Sequence, residues 1–357
     1  MPGYSKMSKQ ERLRKRMFYQ YNKDDFAGSA RLGEALLRAH IRSCTTSSEA
    51  YEDDLFNTAL ASSKAGRVDR AVELYTESIH RTFNRTGPGL SVASRLTNLA
   101  ALLSFHDQHE SACRMFMQAL TIRRQLLPYN HQNLGDSLYN MGTALTRAGR
   151  GRDALSALNG ALHIYTKSVA ASSSKPSAGN GNLVNCLHAI ARAYEQIGEY
   201  DSAFPFAEAA WRGLAIIDID EYHRAGYYLA GLYEAAGRHQ DASELYLSTL
   251  DWVEQSAGDS NSSYINLAAK AANQLARLGE YQKSREILER LSKTLEGFAG
   301  RNNLTYSNCI RNLAIMYQQL GKRDEAEILL KESTEIRKRI LGESDIKDSV
   351  ESNQPEL

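Results

Sequence analysis

One spacing of small, large and glycine residues recurs along the chain. In the stretch NLAIMYQQLGKRDEAEILLKES (312–333), a small residue is followed after three positions by a large one and after four more by glycine. A second small residue follows after five positions, and the same frame is found in seven copies. Their second small residues are Ala71, Ala112, Ala154, Ala203, Ala242, Ser284 and Ala326, which lie 41, 42, 49, 39, 42 and 42 residues apart. Such a period is typical of repeat proteins.

Each slot of the frame predicts a structural feature. Apolar residues three and four positions apart share one face of a helix. The glycine is expected to end that helix in the left-handed conformation, and in one copy Asp107 holds this slot. A second helix follows at once, and the small residues let the two helices approach closely. The predicted fold class is therefore all-α: an α-solenoid, or superhelix, of about eight antiparallel helical hairpins.

The frame resembles the tetratricopeptide repeat, whose small-residue, glycine and alanine positions are in the same register. The resemblance covers residues 12–341. The unit is longer than the minimal 34 residues and is similar to the kinesin-light-chain type, above all in residues 119–145 and 332–345. HEAT repeats share the period but lack the glycine-to-alanine turn. The resemblance implies a protein-binding solenoid in which the first helix of each hairpin lines the concave face.

The frame and the local composition divide the chain into five segments. The Ser-, Gly- and Ala-rich stretch SVAASSSKPSAGNGN interrupts the repeats and is expected to be flexible. The predicted segments are a basic N-terminal segment with a degenerate capping repeat (1–45), repeats two to four (46–167), the flexible insert (168–182), repeats five to eight (183–341) and a polar tail (342–357).

The first, degenerate copy is interpreted as a cap. In this copy Ala30 is assigned to the second small slot and Asp25 to the glycine slot. Its first helix is too basic to be buried on both sides, as expected of an end unit with one solvated face. The alternative is a contact with nucleic acid, an acidic partner or lipid headgroups. The residues of this alternative contact are Arg12, Arg14, Lys15 and Arg16.

The first helices also carry the candidate binding residues. Two positions before the small residue, four of the seven full copies have Asn, whose amide could hold a peptide backbone or bridge neighbouring helices. Nearby Tyr and Arg are types that often carry binding energy. The predicted groove residues are Phe56, Asn57, Asn98, Tyr139, Asn140, His188, Arg192, Tyr227, Asn273, Arg311 and Asn312. Further candidates for carboxylate contact are Lys64, Arg147 and Arg277.

No sequence pattern favours catalysis or a cofactor. The chain has no P-loop, GxGxxG or HExxH motif. His106, His109 and Cys113 share helical spacing but lack a fourth ligand, so no metal site is expected. The 43 Lys and Arg balance 42 Asp and Glu, which gives no chain-wide reason for nucleic-acid or membrane binding.

The expected function is a non-catalytic scaffold or adaptor that binds a peptide segment or partner helix in the concave groove, with no small-molecule substrate. The alternatives are a permanent structural subunit of an organellar or cytoskeletal assembly and a ligand-responsive regulatory sensor. Four widely spaced cysteines favour reduced thiols and a cytoplasmic location. The basic N-terminus keeps a mitochondrial location as the alternative.

Overall fold

The computed structural model describes residues 7–171, 178–214, 219–257 and 262–341. Within these ranges every regular element is a helix and no strand occurs, as the all-α prediction requires. The chain divides into two compact units, Met1–Glu199 and Tyr200–Leu357. None of the described helices has the length and apolarity needed to cross a membrane.

The first unit contains four helical hairpins and one further first helix. Each helix packs against the next, and the first helices of successive repeats also contact each other from α3 to α9. The helices are α1 (Lys9–Tyr21), α2 (Phe26–Arg42), α3 (Glu49–Lys64), α4 (Val68–Thr86), α5 (Leu90–Phe105), α6 (His109–Leu126), α7 (Gln132–Arg147), α8 (Gly151–Ala171) and α9 (Ala178–Gln196).

The second unit starts with one second helix and continues with three hairpins. Here too each helix packs against the next along the chain. The helices are α10 (Tyr200–Leu214), α11 (Ile219–Ala235), α12 (His239–Ala257), α13 (Ser262–Arg277), α14 (Tyr281–Ala299), α15 (Leu304–Gln319) and α16 (Arg323–Leu341). The boundary between the two units falls in the turn of the fifth predicted repeat.

The expected insert and tail lie partly or wholly outside the described residues. Helix α8 continues to Ala171 and α9 begins at Ala178, so both helices extend into the segment 168–182. Its central residues 172–177 and the predicted tail 342–357 are outside the described part of the chain.

The turn inside the repeats is the one that the sequence predicts. The six glycines of the turn slot have φ between 73° and 80°, and Asp107 takes the same conformation at 58°. In one such turn the Gly149 N–H donates to the Thr146 carbonyl at 3.1 Å and the Arg150 N–H donates to the Leu145 carbonyl at 2.9 Å. These bonds satisfy carbonyls at the end of the first helix. The six glycines are Gly66, Gly149, Gly198, Gly237, Gly279 and Gly321.

The small residues of the frame are buried where two helices meet. Ala59 and Ala71, which face each other across the second hairpin, are fully buried, as are their counterparts in later repeats. Gly142 shows how close the approach is, because a Cβ built on it would lie 2.6 Å from the Leu158 side chain. The predicted role of the small residues is therefore confirmed.

The capping repeat is shifted by one residue from the predicted register. The left-handed residue is Asp24, with φ of 58°, and not Asp25. Asp25 is instead the N-cap of α2, where its carboxylate accepts a hydrogen bond from the Gly28 N–H at 2.8 Å. Two adjacent aspartates suit both positions, because Asp tolerates the left-handed region and is also a good N-cap.

The small slot of this repeat is shifted in the same direction. The Ser29 hydroxyl donates to the Met17 carbonyl at 3.0 Å, and Ser284 makes the same bond to the Ala272 carbonyl at 2.8 Å in a later hairpin. Both pairs are 12 residues apart. Ser29, and not Ala30, is therefore the equivalent of the later small residues, and the prediction for this slot was wrong.

A buried polar cluster holds the capping hairpin against the next helix. The guanidinium of Arg14 on α1 donates two hydrogen bonds to Asp54 on α3, at 2.7 and 2.6 Å. Nε2 of His40 on α2 lies 2.8 Å from the same carboxylate, which is fully buried. Arg14 is thus half-buried and paired with Asp54 inside the chain. The other residues of that contact are exposed: Arg12, Lys15 and Arg16.

Candidate functional site

A cleft of about 520 Å³ lies between α7 and α9, the first helices of two successive repeats. Its walls are formed by equivalent positions of the two helices, since Tyr139, Thr143 and Arg147 lie 49 residues before His188, Arg192 and Gln196. The repeat geometry itself therefore builds the cleft. Its lining residues are Tyr139, Thr143, Thr146, Arg147, Asn185, His188, Ala189, Arg192, Glu195 and Gln196.

The cleft carries an excess of positive charge. Arg192 is exposed and takes part in no ion pair within the described residues. The guanidinium of Arg147 lies 3.4 Å from the Ser104 hydroxyl of α5, a neutral partner. Glu195 supplies the one carboxylate of the lining. Two guanidinium groups therefore face one carboxylate.

His188 adds no charge to the cleft at neutral pH. Burial lowers the pKa of its imidazole to about 4, and the neighbouring Arg192 acts in the same direction. Tyr139 lies opposite on α7, and burial raises the pKa of its phenol, so it stays protonated and can donate a hydrogen bond. At one end, the Gln196 amide donates to the Thr146 carbonyl at 2.6 Å and joins the two helices.

Three of the eleven predicted groove residues meet in this cleft. Tyr139, His188 and Arg192 line it together. Asn57 and Asn140 are partly exposed on α3 and α7, but neither lines the cleft.

Three other predicted residues are engaged or buried within the fold. The Asn98 amide donates to the Ser94 carbonyl of its own helix at 2.9 Å. Phe56 packs against Tyr75, with ring centroids 5.7 Å apart, and the Arg95 guanidinium covers its ring. Asn312 is only 1% exposed, so its amide does not reach a surface groove.

The remaining three predicted residues belong to the second unit. They are carried by first helices, as the frame requires: Tyr227 by α11, Asn273 by α13 and Arg311 by α15. Tyr227 is partly exposed and packs against Tyr246, with ring centroids 5.7 Å apart. None of the three is among the residues that line the cleft.

Some residues at or near the cleft were not predicted from the sequence. Asn185 and Gln196 line it but were not predicted. Phe105, at the end of α5, is 78% exposed, which is unusual for a phenyl ring. It occupies the slot of Arg147 one repeat earlier, 42 residues before it. Extending the frame to the last turn of each first helix would have found both Phe105 and Gln196.

The described residues contain no cluster of three His, Cys, Asp or Glu side chains that could hold a metal ion. His106, His109 and Cys113 are spread over the turn between α5 and α6: His106 caps α5, whereas Cys113 is buried in α6. Burial raises the pKa of the Cys113 thiol, which disfavours the thiolate that a metal would need.

Comparison with known proteins supports the repeat assignment. The family model of the tetratricopeptide repeat matches residues 90–167 and 263–339. A comparison with curated protein sequences gave no match.

Several solved structures share the fold. The Signal Transduction ATPase with Numerous Domains protein with a tetratricopeptide repeat sensor, from Pyrococcus horikoshii, is 14% identical. The match covers 93% of this chain and 47% of that one, with a TM-score of 0.62. Aspartyl phosphate phosphatase F from Bacillus subtilis is 13% identical over 95% of this chain and 86% of its own, with a TM-score of 0.54.

Kinesin light chain repeats from Podospora anserina are 21% identical over 58% of this chain and 97% of their own, with a TM-score of 0.48. At 13–14% identity, the likeness of the two structures with TM-scores of 0.62 and 0.54 shows the fold alone. The hairpins, their left-handed turns and the two matched stretches agree, and residues 90–167 and 263–339 are tetratricopeptide repeats.

Proposed function

We propose that this chain is a non-catalytic interaction protein that holds an extended, acidic peptide segment of a partner protein in the cleft between α7 and α9. The observation that carries the proposal is a polar cleft with two guanidinium groups, those of Arg147 and Arg192, that no carboxylate neutralises through an ion pair in the described structure. The tetratricopeptide repeat is a fold of protein–protein interaction, which supports the same class of function.

The lining favours an extended peptide. Nine of its ten side chains carry a hydrogen-bonding group, and Ala189 is the exception. An extended peptide has backbone N–H and C=O groups that its own structure leaves unpaired, so it needs such partners along its length. A helix satisfies its backbone internally and would make little use of them.

The charge favours an acidic peptide. A carboxylate placed between Arg147 and Arg192 would receive charge-assisted hydrogen bonds, which are stronger than neutral ones. Arginine can bind a carboxylate with two parallel N–H donors, so this pair can fix the register of the peptide. Phe105, one repeat away and exposed, offers an apolar contact for a large side chain on the same segment.

The experiment is a selection of displayed random peptides on the full chain, followed by affinity measurements on the enriched sequences. We expect the enriched peptides to carry Asp or Glu. Arg192→Ala should weaken their binding about tenfold, since a charge-assisted hydrogen bond is worth about 1.5–3 kcal/mol. Arg147→Ala should act in the same direction, and both losses should shrink as salt concentration rises.

The matched control is Arg152→Ala. Arg152 is an exposed arginine on α8, a second helix, and does not line the cleft. Its removal should leave the affinity unchanged. The proposal is wrong if no peptide is enriched, if the enriched peptides are not acidic, or if the three variants bind them equally well.

A further inference from the structure

A second cleft in the first unit differs from the first in both position and chemistry. It has a volume of about 580 Å³ and is formed mainly by the second helices α4 and α6, with the start of α5 below them. Its lining residues are Ile79, Phe83, Pro88, Val92, Leu96, Arg114, Met117, Gln118, Thr121 and Ile122.

The floor of this cleft is the hydrophobic core itself. Val92, Leu96 and Ile122 belong to one buried cluster between α5 and α6, and Ile79 packs against that cluster. Two large apolar side chains at the opening are exposed to solvent: Phe83 by 48% and Met117 by 54%. Contiguous exposed apolar surface that continues into a core often marks an interaction site.

The walls favour a helix as the occupant. Both walls are helices, whose backbone groups are already paired, so no strand edge is available for an extended peptide. Only Arg114, Gln118 and Thr121 offer polar side chains. An extended peptide would therefore bury unpaired backbone groups against apolar carbon, whereas an amphipathic helix brings its backbone groups already paired.

The charge of the cleft indicates which charge the flank of that helix should carry. Arg114 is the one charged residue among the ten that line it. Its guanidinium donates to the neutral Ser111 hydroxyl at 2.8 Å, and the described residues provide no ion pair for it. Glu110, one turn earlier on α6, lies 3.8 Å from Arg150 instead. The uncompensated positive charge favours a carboxylate on the partner.

We infer that the α4–α6 cleft docks an amphipathic helix of a partner protein, with apolar side chains against Phe83 and Met117 and a carboxylate opposite Arg114. This site is distinct from the cleft between α7 and α9, because the two clefts share no lining residue. The chain would then contact partners through two faces of one unit, an extended peptide on first helices and a helix on second helices.

The experiment uses two model peptides of about 16 residues, a length that supports a marginal helix. Both carry Leu at the same i, i+3, i+4 and i+7 positions, and their flanks carry Glu in one peptide and Lys in the other. Fluorescence anisotropy with the full chain should show that the Glu peptide binds at least tenfold more tightly than the Lys peptide. Met117→Glu should weaken the binding of the Glu peptide at least tenfold.

Charge reversal and two controls complete the test. Arg114→Glu should abolish the preference for the Glu peptide. Arg124→Glu makes the same change at an exposed residue of α6 outside the lining and should change affinity less than twofold. Arg192→Ala should not affect either peptide, since it alters only the other cleft. Circular dichroism should show unchanged helicity in every variant, because each replaced side chain is exposed.

Three results would overturn the inference. The first is that neither peptide binds. The second is that both peptides bind equally well, or that Met117→Glu does not weaken the binding of the Glu peptide. The third is a concentration-dependent dimer of the chain that Met117→Glu abolishes, because that result would assign the cleft to a second copy.

Discussion

His188 is kept neutral in the polar cleft by burial and by the positive charge of Arg192, which together lower its pKa from 6.5 to about 4. In the unfolded chain the imidazole regains its ordinary pKa. Between pH 6.5 and 4 the unfolded state therefore binds a proton that the folded state does not, and the free energy of unfolding falls as the pH is lowered through this window. The full loss from this one group is on the order of 3 kcal/mol.

Replacing His188 by Gln should remove this part of the pH dependence. We expect the free energy of unfolding of the variant, measured by urea titration at several pH values, to fall less steeply between pH 6.5 and 4 than that of the native chain. His163, an exposed histidine on α8, provides the control, and His163→Gln should leave the slope unchanged. Equal slopes for the His188 variant and the native chain would contradict the prediction.

Asn312 has a buried side-chain amide that makes no hydrogen bond in the described structure. It is 1% exposed, and neither its amide nitrogen nor its oxygen has a hydrogen-bond partner in the described structure. Because an unsatisfied buried polar group is costly, Asn312→Leu should raise the free energy of unfolding by about 1 kcal/mol. Thermal or urea unfolding measures this change in the free energy of unfolding. Asn98→Leu, in the same slot but partly exposed, should change stability by less than about 0.5 kcal/mol.

A clear loss of stability on Asn312→Leu would show that this amide has a partner in solution.

The contrast between Asn98 and Asn312 shows which property of a residue the repeat pattern does not predict. Both hold the same slot of the frame, so the sequence predicts one role for both. Their burial depends on the side chains that the neighbouring hairpin brings against them, which a single repeat pattern does not contain.

At the scale of the element, the turn between the two helices of a repeat is the strongest constraint. Six turns use glycine at positive φ, while Asp24 and Asp107 adopt the same conformation at 58°. A non-glycine residue in the left-handed region costs about 1–2 kcal/mol. Asp24→Gly and Asp107→Gly should each raise the free energy of unfolding by about 0.5–1 kcal/mol, after the larger entropy of glycine in the unfolded chain is subtracted.

The neighbouring Asp25 gives the opposite expectation. Its carboxylate caps α2 through the Gly28 N–H, so Asp25→Ala should lower the free energy of unfolding by about 1 kcal/mol. Urea unfolding of the Asp24 and Asp25 variants therefore tests the register of the capping repeat directly. If Asp25→Ala is neutral and Asp24→Gly destabilises the chain, the original register with Asp25 in the turn is restored.

Most of the helices and turns could be predicted, because a helix period and a glycine turn are local properties of the sequence. The register of the first repeat could not, since Asp24 and Asp25 are both acceptable in the turn and at the N-cap. The Arg14–Asp54 pair was also missed, as its partners are 40 residues apart. An arginine beside other basic residues is indistinguishable in sequence from a solvated one until the helix that it packs on is known.

At the scale of the molecule, the repeat frame presents two kinds of surface in one unit. First helices α7 and α9 form a cleft with polar walls, and second helices α4 and α6 form one that is mostly apolar. The frame predicts that the first helices share equivalent exposed slots, so Tyr139, His188 and Arg192 could be found in sequence. It does not predict which pair of helices leaves a gap, because that depends on side-chain volumes on several elements at once.

The same architecture makes stability local. Each helix packs mainly on its neighbours along the chain, so the stability of a repeat array is close to a sum of units and nearest-neighbour interfaces. Asp54 is fully buried and pairs with Arg14 and His40. Its removal leaves their polar groups without that partner, and breaking a buried pair in this way costs about 3–5 kcal/mol.

We therefore expect Asp54→Ala to reduce amide hydrogen-exchange protection strongly in α1 to α3 while α13 to α16 keep theirs. Glu49, also on α3, is the control. Its carboxylate is 73% exposed and lies 3.6 Å from Arg85, which keeps its pair with Glu52, so Glu49→Ala should cost less than about 1 kcal/mol and leave protection in both regions nearly unchanged. A uniform loss of protection from α1 to α16 in the Asp54 variant would mean that the two units unfold as one cooperative body, against the local stability that the repeat packing implies.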